Sequence, residues 1–123
     1  YAVDVISEFL NSKSINDYMV DIGGEIRSSG KNQFKDMSWS IAIDNPLPDR
    51  VDDKFYTRIK LQNAAIATSG NYRNFRIDSA TGKKYVHIIN PISGQFEQTK
   101  IFSVSVLSKS CVNVSSFFAR LYK

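Results

Sequence analysis

The chain is short of the residues that most covalent and metal chemistry needs. Its 123 residues include one cysteine, Cys111, and one histidine, His87. A single thiol excludes an internal disulfide and leaves the redox compartment open. With no C-x-x-C and no histidine pair, the common zinc sites are absent. No stretch reads G-x-x-x-x-G-K-[ST] or G-x-G-x-x-G, which removes the P-loop and the dinucleotide fingerprint. No G-x-S-x-G elbow is present either. No apolar run approaches the ~18 residues that a membrane span requires. Lysine and arginine outnumber the acids 16 to 12, a net charge of +4, but they are scattered. Without a basic cluster, nucleic-acid binding gains no support. Asp44, Asp49, Asp52 and Asp53 lack EF-hand spacing and read as a solvated acidic loop.

What remains is an ordinary globular composition, 42% apolar and 23% charged. It suits a single domain over residues 1–123. Eight phenylalanines and six tyrosines favour strands, where flat side chains pack on a pleated surface. Ala2, Val3, Val5, Ile6, Phe9 and Leu10 recur at helical spacing, predicting an amphipathic helix that ends near Asn11–Ser14. The opening Tyr1-Ala2-Val3-Asp4 reads as the middle of that helix. Strands follow at "DYMVDI", "MSWSIAI", Phe55–Leu61, "AAIATS" and Ile101–Leu107. "RIDSATGKKYVHII" reads as a hairpin. "SKSCVNVSSFFARLYK" predicts a closing helix with Ser108 or Ser110 as its N-cap. Cys111 reads as a small buried hydrophobe within it. Hairpins without βαβ alternation imply an α+β fold, a largely antiparallel sheet with a helix near each end of the chain.

Three segments combine glycine with polar groups at strand ends. In "DIGGEIR", Gly23 and Gly24 interrupt a strand, so they form either a bulge or a backbone that a ligand approaches closely. In "ATSGNYR", the Thr68 and Ser69 hydroxyls, the Gly70 backbone and Arg73 could hold phosphate oxygens, with Tyr72 over a planar ring. The same stretch also suits a plain polar turn. In "YVHIINPISG", His87 is either a structural residue among apolar neighbours or a general base delivered to a cleft.

Taken in order, "YAVDVISEFL", "NDYMVDIGGEIR", "WSIAIDNP", "AIATSGNYR", "HIINPISG" and "SVSVLSKSC" resemble the ApbE family, the FAD:protein FMN transferases. The resemblance covers nearly the whole chain. It implies a bacterial transferase that splits the FAD pyrophosphate, attaches FMN to a threonine or serine of an acceptor flavoprotein, and releases AMP. By the same resemblance Gly23, Gly24, Glu25, Thr68, Ser69, Gly70, Tyr72 and Arg73 would bind FAD, and His87 would be catalytic. Family members use Mg²⁺. Here the register set by Cys111 puts Ser115 and Ala119 where the family has an aspartate and a threonine of the metal site. Asn90 and Ser93 replace another aspartate and threonine. These departures predict a degraded Mg²⁺ site, with a flavin-binding or structural module as the alternative to an active enzyme. Members are longer, so the chain resembles their C-terminal portion, and apolar surface left exposed would favour a homo-oligomer. Many are lipoproteins of the bacterial envelope or periplasm; a cytoplasmic location stays open.

Overall fold

The computed structural model describes residues 1–47, 54–70, 75–82, 84–86, 94, 101–114 and 117. Helix α1 spans Ala2–Ser12. It stops because Ser14 adopts a left-handed backbone, φ 59°. The Ser14 and Ile15 N–H groups then turn back to the carbonyls of Asn11 and Leu10, at 2.9 and 3.1 Å. This Schellman arrangement satisfies carbonyls that the helix end would otherwise orphan. The strands among the described residues are β1 (Tyr18–Ile22), β2 (Glu25–Ser29), β3 (Trp39–Asp44), β4 (Phe55–Leu61), β5 (Ala64–Gly70), β6 (Phe75–Ile77), β7 (Lys84–Val86) and β8 (Ser103–Ser108). A helical segment follows at residues 111–114. The expected α+β class is what the structure has, and every strand pairing among the described residues is antiparallel.

The central sheet has the order β1-β2-β5-β8, while β3-β4 and β6-β7 form separate two-stranded pairs. Alternation along the strands gives the central sheet two covered faces. On one face Ala65 packs against Val3 of α1 and Cys111 of the helical segment, with Val20 beside them. On the other, Ile66 meets Ile41 and Leu61 of the β3-β4 pair, with Ile26, Ile43 and Ile59 around them. The Trp39 indole N–H donates to the Ser29 carbonyl at 3.0 Å, joining that pair to the end of β2.

Three local expectations change. The inward side of α1 is Val3, Asp4 and Ser7, all buried. Val5, Ile6 and Phe9, counted on the apolar face, are exposed. Second, Gly23 and Gly24 are not a bulge. They are the two central residues of the β1-β2 hairpin, since Ile22 pairs directly with Glu25. Both have positive φ, 64° and 89°, which a type I′ turn demands and glycine supplies without a Cβ clash. Third, Thr68-Ser69-Gly70 is strand rather than turn, because pairing with Ser105, Val104 and Ser103 of β8 holds it extended.

Candidate functional site

The β1-β2 hairpin aims its tip at one end of the central sheet. Asp21 holds the turn by accepting the Gly24 N–H at 3.0 Å. The described β2-β5 ladder ends where Ile26 faces Ile66. Continuing that register places Gly24 level with Thr68 and Glu25 level with Ala67. The glycine turn and the Thr68-Ser69-Gly70 stretch therefore lie towards the same end of the sheet, with open space around the turn.

The hairpin also fixes where the backbone of β5 points. In a two-residue hairpin the flanking residues, here Ile22 and Glu25, exchange backbone hydrogen bonds. Alternation then turns the Ile26 backbone towards β5. The same alternation directs the N–H and C=O groups of Thr68 and Gly70 to the side of β5 where β2 has already turned away. Those groups face the space beside Gly24.

The neighbouring strand adds hydroxyls. Thr68 Oγ1 and Ser105 Oγ are hydrogen-bonded at 2.7 Å. Ser103 and Ser105 line a cleft of about 320 Å³, together with Asp44, Tyr56 and Thr57 from the β3-β4 pair. Glu25 is half-buried, while Gly23, Gly24 and Thr68 are exposed. A larger hollow, about 440 Å³, opens at the far end of β1 and β2 around Asp17, Lys31 and Trp39. None of the expected site residues lines it.

Of the expected site residues, Gly23, Gly24 and Glu25 lie towards the same end of the central sheet as Thr68, Ser69 and Gly70. Tyr72, Arg73 and His87 lie outside the described residues, as do Asn90, Ser93, Ser115 and Ala119. Sequence reasoning missed Ser103 and Ser105. Their signal was the strict alternation of "SVSV", which puts both hydroxyls on the face opposite Val104 and Val106. It also missed Asp4, which is 6% exposed and joins three parts of the chain. Its carboxylate accepts from Arg27 Nη1 at 2.8 Å and from the backbone N–H groups of Cys111 at 3.1 Å and Val112 at 2.9 Å. The expected cap of that helical segment was Ser108 or Ser110. An acid from the other end of the chain takes its first N–H groups instead. Burial opposes ionisation of Asp4, but these three donors outweigh it and hold the carboxyl below the usual aspartate range. Cys111 shows the opposite outcome: burial first, then the charge of Asp4, pushes its thiol up to about 11.

Among the described residues, no group of three or more His, Cys, Asp or Glu side chains is arranged to hold a metal ion. The arrangement is instead a rim of backbone amides, glycines and hydroxyls, the donor set that recognises oxygen-rich anions.

These features define an α+β protein whose glycine hairpin and hydroxyl-bearing strand lie towards one end of a sheet. The ApbE family model matches residues 1–117, and the chain belongs to that family. The FAD:protein FMN transferase of Vibrio cholerae is 42% identical over 112 residues, covering 91% of this chain and 32% of that protein. The FAD:protein FMN transferase of Haemophilus influenzae is 33% identical, covering 99% and 34%. Among solved structures, the ApbE protein of Thermotoga maritima superposes with a TM-score of 0.81 at 25% identity, covering 99% of this chain and 37% of that one. The flavin transferase ApbE from Vibrio cholerae superposes at 0.68 and 42% identity, covering 89% and 32%. The chain thus spans about a third of the length of the relatives it matches.

Proposed function

We propose that this chain carries part of the flavin-nucleotide site of an FAD:protein FMN transferase, as the C-terminal portion of such a protein. The observation that supports this most is that Gly23-Gly24-Glu25 and Thr68-Ser69-Gly70 lie towards the same end of one sheet. Backbone N–H groups and small side chains let a pyrophosphate approach closely, where a larger residue would stand in its way. Arg73 follows β5 in sequence and adds a guanidinium suited to paired phosphate oxygens, with Tyr72 beside it for the flat ring.

In the proposed reaction an acceptor threonine or serine hydroxyl attacks the phosphorus on the FMN side of FAD. A new phosphorus–oxygen bond forms as the bond to the bridging oxygen breaks. AMP leaves with that oxygen, and His87 takes the hydroxyl proton as general base. Mg²⁺ would neutralise the pyrophosphate in such chemistry. Ser115 and Ala119, which stand where the family has an aspartate and a threonine, supply no carboxylate, and the described residues offer no carboxylate cluster; both observations support a weakened metal site as part of the proposal.

Those same two residues favour a second reading, a module that binds the flavin nucleotide without transferring it. The chain is incubated with FAD, Mg²⁺ and a peptide bearing an acceptor threonine. Peptide that gains the mass of FMN less one water supports the enzyme, and His87→Ala should abolish that gain while sparing FAD binding. Quenched flavin fluorescence without modified peptide supports the binder. Neither signal would overturn both readings. An envelope or periplasmic setting accompanies the proposal, since the matched relatives are bacterial.

A further inference from the structure

We propose that Asp4 is a positioning residue for the flavin-nucleotide site, acting through Arg27 and the start of the C-terminal helical segment; this rests on the reading above. Asp4 joins points 23, 107 and 108 residues away in sequence. Arg27 lies on β2, two residues beyond Glu25 and on the same face of the strand, just behind the glycine turn. Cys111 touches the same strand, with its Sγ donating to the Ile26 carbonyl at 3.6 Å. Residue 111 also follows closely on β8, the strand that supplies Ser103 and Ser105 to the cleft. In the sheet, β5 lies between β2 and β8. One buried carboxylate therefore ties β2 to the segment that follows β8, and these two strands flank β5. Its position sets where the hairpin tip stands relative to those residues.

The chemistry at Asp4 is exacting because all three partners are donors. An ionised carboxylate offers two acceptor oxygens, while asparagine offers one oxygen and an NH₂ that must face another N–H. Asp4→Asn therefore keeps the shape and breaks the junction. Arg27→Met removes the other charge. Removing one partner of a buried pair strands a charge, whereas removing both is far better tolerated.

The test uses the full chain with Asp4→Asn, Arg27→Met and the double variant. Three quantities are read: the unfolding midpoint, FAD affinity by flavin fluorescence, and the amide resonances of Gly23 and Gly24. Both single variants are expected to lower the midpoint, and the double variant to recover part of it, because the stranded guanidinium is gone while a backbone N–H still faces the introduced amide. FAD affinity in the double variant is expected to stay about tenfold weaker, the factor that one displaced contact produces. The Gly23 and Gly24 resonances are expected to remain shifted. Affinity that returns with the midpoint, or glycine resonances that coincide with the wild type in Asp4→Asn, would overturn the proposal. If the wild type binds no FAD, the functional reading fails and the glycine resonances alone still decide the role of Asp4.

Discussion

Gly24 and Gly30 both have positive φ, +89° and +56°, yet alanine is predicted to cost very different amounts at the two positions. A left-handed backbone penalises any L side chain by about 1–2 kcal/mol. At Gly24 nothing else is added, because an added Cβ would meet no heavy atom within 4 Å. At Gly30 the Cβ would lie 1.9 Å from Asp17 Oδ1 and 2.8 Å from the Asn16 carbonyl oxygen. Asp17 is not free to swing aside, since it accepts the Lys31 N–H at 2.7 Å and the Gln33 side-chain amide. Shifting the Asn16 backbone as well adds about 1–3 kcal/mol. Gly30→Ala is therefore expected to lose about 3 kcal/mol and Gly24→Ala about 1–2 kcal/mol. Urea unfolding of the two variants measures this directly. The order reverses for ligand: Gly24→Ala weakens FAD binding and Gly30→Ala leaves it unchanged. Equal losses of stability would refute the steric argument. A costlier Gly24→Ala would refute the claim that the hairpin tip stands clear of the rest of the fold.

Leu61 is 1% exposed and packs between Ile41 and Ile66, so Leu61→Ala should cost about 3 kcal/mol in the same assay. A loss below about 1 kcal/mol would mean that the β3-β4 pair does not pack on the central sheet. Asp4 predicts an acid limb. Its carboxyl is held below the usual range, so its contribution is complete above the unfolded value and fades as pH falls below about 4. The stability difference between wild type and Asp4→Asn should shrink over that interval; a constant difference would contradict the assigned hydrogen bonds. Cys111 is buried with its thiol pushed up to about 11, so alkylation at about pH 8 should await unfolding. Rapid stoichiometric labelling of the native chain would be the contrary result.

Much of the architecture was readable because it is local. The helical spacing of Ala2 to Leu10 marked α1, Ala2–Ser12. Alternation marked β1, β3 and β4, with β4 at Phe55–Leu61 as expected. Turn chemistry at "DSATG" marked the β6-β7 hairpin, where Asp78 accepts the Ala80 N–H at 2.8 Å. Pairing order was not readable, since nothing in β5 states that β2 and β8 are its neighbours. That pairing is also what keeps Thr68-Ser69-Gly70 extended. The glycine pair was legible as special but not as a hairpin turn, because β1 and β2 read as one interrupted strand. Asp4 was invisible for a different reason. Two of its three partners, Cys111 and Val112, lie more than a hundred residues away, and on a helical wheel an acid beside Val3 and Val5 looks like a solvated position. Two of the three glycine-bearing segments lie towards one end of the central sheet, while His87 of the third lies outside the described residues. The hydroxyls of β8 were hidden behind the apolar face of the same strand.

The most direct measurement is an FAD titration of the isotopically labelled chain, following the amide resonances of Gly23, Gly24, Thr68, Ser69 and Gly70. All five are predicted to shift along a single saturating isotherm, with resonances around Asp17 and Lys31 at the far end of the sheet unmoved. Movement of the hairpin glycines without the β5 residues, or no movement in either, would contradict a shared nucleotide site.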